Sequence, residues 1–102
     1  MEIKTSRSNQ NLIISLTGRL DTMTSPQLEE EINHSDLDGI ETVTLNLREL
    51  EYISSAGLRV VIMLYKNLEK LGGKLRLVNV NDMVMEIFSM TGMTDFLEIE
   101  KA

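Results

Sequence analysis

Two adjacent serines followed closely by a glycine are the residues of this chain best suited to chemistry. Ser54 and Ser55 lie in the stretch EYISSAGLRVV, where a strand pattern gives way to a helical pattern. They therefore stand at the C-terminal end of a strand and at the N-terminus of a helix, where unpaired N–H groups and the helix dipole favour negative charge. A phosphate esterified to a serine would find hydrogen-bond donors there. Gly57 has no Cβ, so it would allow a partner or the phosphate to approach the backbone closely.

A purely structural role explains the same two serines. Serine is among the preferred N-cap residues, so Ser54 or Ser55 would cap the helix and do nothing more. The local pattern favours the cap, and it does not say which of the two serines provides it. The two serines by themselves do not distinguish a helix cap from a modification site, so the rest of the sequence has to be considered.

The remaining sequence lacks the groups that a catalytic or metal site requires. There is no cysteine, and the one histidine, His34, lies in an acidic helix end with no evident link to Ser55. A serine hydrolase needs a base beside its nucleophile, and neither the G-x-S-x-G motif nor a P-loop lysine motif occurs. Asp21 alone does not make the acidic cluster of a phosphorylatable receiver domain. We therefore expect no enzymatic activity, no metal and no cofactor.

The hydrophobic pattern predicts the elements that position the serines. Alternation predicts strands at residues 11–17, 42–47 and 74–80, with weaker strands at 2–6 and 95–100. Cap residues and apolar spacing predict helices at 24–35, 55–71 and 82–91. The order β-β-α-β-α-β-α-β predicts one α/β domain over residues 1–102, with a mixed, mostly parallel sheet. Because the strands alternate, we expect the helices to favour one face of that sheet.

The central predicted helix is apolar around most of its circumference. Its core stripe at three- and four-residue spacing contains Leu58, Val61, Ile62, Tyr65 and Leu68. Val60, Met63 and Leu64 lie off this stripe, on faces that a solvated helix would make polar. Either the helix is buried nearly all round, or part of it stays exposed as a docking face. The sequence leaves both interpretations open.

Charge is unevenly distributed along the chain. The net charge of -6 argues against binding to nucleic acid or to an anionic membrane surface. Residues 27–51 contain eight acids and one base, whereas residues 59–76 contain five bases and one acid. Such asymmetry steers a protein partner, or it simply marks two solvated helix faces of opposite sign.

The N-terminal residues carry no targeting pattern. The start, MEIKTSRSNQ, lacks the apolar core of a signal peptide. No apolar run approaches the roughly 18 residues that a membrane-spanning helix needs. We therefore expect a cytoplasmic protein with no membrane partner.

Three segments together resemble the STAS domains, and within that family the stand-alone bacterial anti-sigma factor antagonists. LTGRLDTMTSPQL resembles the family's G-x-[IL]-D-x-x-[TS] segment. VTLNLRELEYISSAGLRVVIMLYKNLEKLGGKLRLVNV resembles its signature strand, serine loop and helix, and MEIFSMTGMTDFLEI resembles its C-terminal helix and last strand. The three segments cover most of the chain, and their combination is specific.

The resemblance implies a phosphorylation switch. In the family, an ATP-dependent anti-sigma factor kinase phosphorylates a serine at the start of the central helix, and a PP2C-type phosphatase removes the phosphate. The unphosphorylated antagonist binds the anti-sigma factor and frees the sigma factor. Alignment on the shared glycine makes Ser55 the expected phosphoacceptor, with Ser54 as the second choice. Together with the apolar helix face, this predicts a partner surface of Asp21, Thr22, Ser54, Gly57, Leu58, Arg59, Val60, Met63 and Leu64.

The serine segment departs from the usual D-S-[ST]-G-L-G pattern of the family. Ser54 replaces the acid, which makes it a competing acceptor and would change kinase preference. Arg59 replaces the second glycine. We expect Arg59 to pair with Asp21, with a phosphate, or with an acidic patch on a partner.

The alternative function is a constitutive STAS subunit of a transport or lipid-trafficking complex that is never phosphorylated. The serine at position 55 favours the switch over this scaffold. The acidic charge and the lack of a basic amphipathic helix argue against membrane attachment. The expected partners are therefore an anti-sigma factor serine kinase and a PP2C-type phosphatase.

Overall fold

Alternating apolar residues form five strands of a single sheet in the computed structural model, which describes all 102 residues. The strands are β1 (Glu2–Ser8), β2 (Asn11–Leu20), β3 (Thr42–Ile53), β4 (Lys74–Val80) and β5 (Glu98–Lys101). The helices are α1 (Ser25–His34), α2 (Ser55–Lys70) and α3 (Asp82–Met90), with a 3₁₀ turn at Met93–Asp95 before β5. The predicted order of strands and helices is confirmed. No helix combines the length and the apolar character needed to cross a membrane.

The strands lie in the sheet in the order β1-β2-β3-β4-β5. β1 and β2 form an antiparallel hairpin, and the other three neighbouring pairs are parallel. The prediction of a mixed, mostly parallel sheet is therefore confirmed. Parallel β2 and β3 both end at the same edge, where Leu20 pairs with Ile53. This edge carries the serine pair.

All three helices cover the same face of the sheet. One hydrophobic core joins alternate strand residues such as Ile14 and Leu45 to residues of all three helices, among them Leu28, Leu64 and Phe88. The opposite face has no helix over it. Neighbours on β2 show the difference, since Ile14 is 1% exposed and Ile13 is 38% exposed.

Helix α2 buries a wider arc than the predicted stripe. Its buried residues are Gly57, Leu58, Val60, Val61, Leu64 and Leu68. Ile62 and Tyr65, which the stripe placed in the core, are only partly buried. A helix that contacts both a sheet and a second helix buries two sides, and α2 contacts β3, β4 and α1. Core packing thus accounts for Val60 and Leu64.

Candidate functional site

The serine pair is held against the end of β2. The backbone N–H of Ser54 donates to the carbonyl oxygen of Leu20 at 2.9 Å, so the chain leaving β3 is tied to the last residue of β2. Asp21 follows Leu20 directly, which brings its turn next to the serines. The structure thus brings together two segments, around Asp21 and Ser55, that lie more than 30 residues apart in the sequence.

Ser54 is the residue that caps α2. Its backbone is extended, with φ -96° and ψ 175°, and its Oγ accepts a hydrogen bond from the N–H of Gly57 at 3.3 Å. Ser55 is the first helical residue, and its side chain is exposed. The cap and the exposed hydroxyl therefore belong to different residues, which the sequence pattern left open.

Gly57 brings α2 close to the rest of its own chain. A Cβ at this position would lie 2.8 Å from Leu20 Cγ and 2.9 Å from the Leu20 carbonyl oxygen. Real Cβ atoms do not approach other atoms so closely, and Gly57 is buried. The expectation that Gly57 lets a partner or a phosphate reach the backbone is therefore wrong. The residue that comes close is Leu20, because the first turn of α2 packs directly on the end of β2.

Asp21 organises the turn between β2 and α1. Its Oδ1 accepts hydrogen bonds from the N–H groups of Met23 at 3.0 Å and Thr24 at 3.1 Å, and from the Thr24 hydroxyl at 3.2 Å. Its Oδ2 lies 3.8 Å from Arg19 Nε. Desolvation by burial raises the pKa of Asp21, but these hydrogen bonds and the Arg19 charge outweigh it and leave the pKa lowered. The carboxylate stays ionised and is engaged within its own turn.

Two residues of this turn extend into solvent. Thr22 is exposed, as its predicted place in a partner surface requires. Met23 is 88% exposed, and it was missed in the sequence analysis. The sequence did contain a signal for this exposed residue, because Met23 is an apolar residue in a polar turn, one position before a helix cap.

Arg59 does not pair with Asp21. Asp21 has Arg19 as its cationic neighbour, and Arg59 takes part in none of the ion pairs of the structure. The Arg59 side chain is exposed beside a shallow hollow of about 290 Å³. The other residues that line this hollow are Glu29 of α1 and Val60 and Met63 of α2.

The predicted docking face on α2 is wrong for three of its residues. Leu58, Val60 and Leu64 are 5%, 1% and 0% exposed, so their side chains belong to the core and do not face a partner. Met63 is partly exposed at the edge of the core. Ser55, Arg59 and Met63 follow at four-residue spacing and share one face of α2. With the turn residues they form what we call the serine surface: Thr22, Met23, Ser55, Arg59 and Met63.

His34 lies away from the serine surface. It is the last residue of α1, and its Nδ1 lies 2.8 Å from the carbonyl oxygen of Glu30. The turn around Asp21 is at the other end of that helix. No group of three His, Cys, Asp or Glu residues is placed to hold a metal ion. What the site offers chemically is one exposed hydroxyl at a helix N-terminus.

Two proteins with similar sequences are both named as anti-sigma factor antagonists. The chain is 36% identical over 92 residues to BtrV of Bordetella bronchiseptica, provisionally named an anti-sigma factor antagonist, with 90% of this chain and 79% of BtrV covered. It is 27% identical over 101 residues to the anti-sigma-B factor antagonist of Staphylococcus aureus, with 99% and 94% of the two chains covered.

Solved structures share the fold. A crystal structure from Thermotoga maritima, provisionally described as an anti-sigma factor antagonist, matches with a TM-score of 0.90 at 21% identity, covering 98% of this chain and 86% of that one. The Bacillus cell fate determinant SpoIIAA in its phosphorylated form matches with a TM-score of 0.74 at 21% identity, covering 96% and 90%. The sequence model of the STAS domain matches residues 2–102, which is almost the whole chain. The chain therefore belongs to the STAS domain family.

Proposed function

We propose that this STAS domain is an anti-sigma factor antagonist whose binding to an anti-sigma factor kinase is switched by phosphorylation of Ser55. The names of the two relatives support the antagonist role. The observation that carries the switch is the division of roles between the serines. Ser54 provides the helix cap, whereas Ser55 is exposed on the serine surface and does not cap the helix.

The chemistry of the proposed switch is a phosphoryl transfer by the partner kinase. The γ-phosphoryl group of ATP moves to Ser55 Oγ, the hydroxyl proton is lost, and ADP leaves. The product carries about -1.5 to -2 charges at neutral pH. Because Ser55 is exposed in the first turn of α2, the helix dipole stabilises this charge and the core is not disturbed.

The same phosphate opposes the contact with the partner. The serine surface presents Met23 in the neighbouring turn and Met63 two helical turns after Ser55. A partner that binds the unphosphorylated chain there buries apolar side chains. A phosphate in that contact has to lose its water, and it repels acidic groups of the partner. A loss of about 1.4 kcal/mol weakens binding tenfold, so one modification is enough to release the partner.

The proposal includes the enzymes that act on the chain. An anti-sigma factor serine kinase adds the phosphate and a PP2C-type phosphatase removes it, which regenerates the binding form. The kinase reaction uses ATP, and the phosphatase transfers the phosphoryl group to water, so the proposed location is the cytoplasm, where ATP is available. Nucleic acid and membrane lipids have no part in the cycle.

The test is phosphorylation by an anti-sigma factor kinase of the same organism. The chain is incubated with the kinase and ATP, and the product is analysed by intact mass and by peptide mapping. We expect one phosphate, on Ser55, in the wild type and in Ser54→Ala, and none in Ser55→Ala. Kinase binding is then measured by calorimetry, and we expect Ser55→Asp to bind at least about tenfold more weakly than Ser55→Ala.

Two results would contradict the proposal in different ways. A phosphate on Ser54 would move the acceptor by one residue and keep the switch. Absence of phosphorylation, with equal partner binding by Ser55→Ala and Ser55→Asp, would leave Ser55 without a switching role and indicate the constitutive scaffold.

A further inference from the structure

Arg59 lies one helical turn after Ser55 on α2. Both side chains are exposed, and they are four residues apart on the same face of the helix. Residues at this spacing have Cβ atoms about 5–6 Å apart, so they are neighbours on the helix surface.

The direction of helical side chains brings the two residues closer. The Cα–Cβ bond of every residue tilts toward the helix N-terminus, and long side chains lie over the preceding turn. The preceding turn of Arg59 begins with Ser55. A guanidinium at the end of this long side chain therefore reaches the space that a group on Ser55 Oγ would occupy.

Few charged groups compete for Arg59. The ion pairs of the structure involve Arg19, Arg76 and Lys101 as the cations, and Arg59 is in none of them. Glu29 of α1 lines the same hollow but forms no ion pair with Arg59. Asp21 is engaged with its own turn and with Arg19.

We propose that Arg59 binds the phosphate of phosphoserine 55 within the same chain. The inference rests on the proposed function, since it needs a phosphate on Ser55. A guanidinium binds a phosphate through two parallel N–H···O hydrogen bonds, and a phosphate dianion attracts it more strongly than the single charge of Glu29. The phosphate also competes with any carboxylate of a partner for Arg59, so phosphorylation weakens this cationic contact as well as adding an anion.

The experiment requires no kinase. Phosphoserine is placed at position 55 of the full chain during translation by an expanded genetic code, and the second pKa of its phosphate is measured by ³¹P NMR at about 0.1 M ionic strength, where the screening length is about 10 Å. The second pKa of phosphoserine lies near 6, and a neighbouring cation lowers it because it stabilises the dianion. We expect Arg59→Ala to raise this pKa by about 0.3 unit, the size typical of an exposed pair four residues apart on a helix. Arg59→Lys keeps the charge but loses the two parallel N–H donors, so it should recover only part of the difference.

The matched control is Lys66→Ala on the same helix. Lys66 is also exposed and carries the same charge, but it lies eleven residues after Ser55. We expect its removal to change the phosphate pKa by less than about 0.1 unit. Equal pKa values in the wild type and Arg59→Ala, or equal shifts for Arg59→Ala and Lys66→Ala, would overturn the pairing. If the shift is specific to Arg59 and no kinase modifies Ser55, the pairing stands and the proposed function fails.

Discussion

Ser54 and Ser55 have the same side chain and different surroundings because a helix begins between them. Ser54 keeps an extended backbone, which directs its Oγ toward the free N–H of Gly57. Ser55 already has helical geometry, so its side chain points out to solvent. At the residue scale, the site is a capping hydroxyl followed by an exposed one.

Because only Ser54 caps the helix, replacing each serine by alanine should change the free energy of unfolding by different amounts. Ser54→Ala removes the cap, and we expect it to lower the free energy of unfolding by about 1 kcal/mol. Ser55→Ala removes an exposed hydroxyl without a capping role and should stay within about 0.5 kcal/mol of the wild type. Urea unfolding followed by circular dichroism measures both. The reverse order of stabilities would assign the cap to Ser55.

The residue types at the site could be predicted from the sequence, but their roles could not. Two consecutive serines satisfy the cap pattern equally, and a shift of one residue in the helix start exchanges their roles. The pairing of Arg59 was equally undetermined. Arg19 lies two residues from Asp21 and takes the position that Arg59 was expected to fill.

Helix α2 shows at the element scale why an apolar helix face need not be a docking face. Apolar spacing identifies which residues share a side of a helix, but it does not say how many neighbours surround that helix. α2 lies against β3, β4 and α1, so Val60 and Leu64 are buried although they lie off the predicted stripe. Gly57 adds to this packing, since the absence of a Cβ lets the first turn approach Leu20.

Met63 and Leu64 are adjacent on α2, but Leu64 lies in the core and Met63 lies at the surface, so their substitutions should differ in effect. We expect Leu64→Ala to lower the free energy of unfolding by about 2–5 kcal/mol, because it leaves a cavity at a fully buried position. Met63→Ala should cost about 1 kcal/mol or less, because Met63 is partly exposed. In calorimetric binding to the anti-sigma factor kinase, Met63→Ala should weaken affinity at least about threefold, which is roughly 0.7 kcal/mol. If Met63→Ala binds the kinase with wild-type affinity, Met63 does not contribute to partner binding.

At the scale of the whole molecule, the sheet has one covered face and one open face. Strand alternation predicted this arrangement, because a strand buried on both faces would read as a continuous apolar run. The positions of strands within the sheet could not be predicted in the same way. Periodicity describes each strand by itself, and neighbours are chosen by the connections and by packing between elements.

The two faces predict opposite outcomes for neighbouring isoleucines of β2. Ile13→Thr lies on the open face, and we expect the free energy of unfolding to change by no more than about 0.5 kcal/mol. Ile14→Thr removes apolar contact and buries a hydroxyl, so it should lower that free energy by about 2 kcal/mol or more. Thermal and urea unfolding compare the two variants. Similar losses for both would mean that something covers the open face in solution.

The strand order β1-β2-β3-β4-β5 also has a consequence for how the chain folds. Every strand lies beside the strand made before it, so no late strand has to insert between two earlier ones. Pairings between consecutive strands close shorter loops than pairings between strands far apart in the sequence would, so less entropy is lost before contacts form. On the ribosome, the hairpin and β3 can pair while the C-terminal residues are still being added. Each new helix and strand then extends an edge that is already in place.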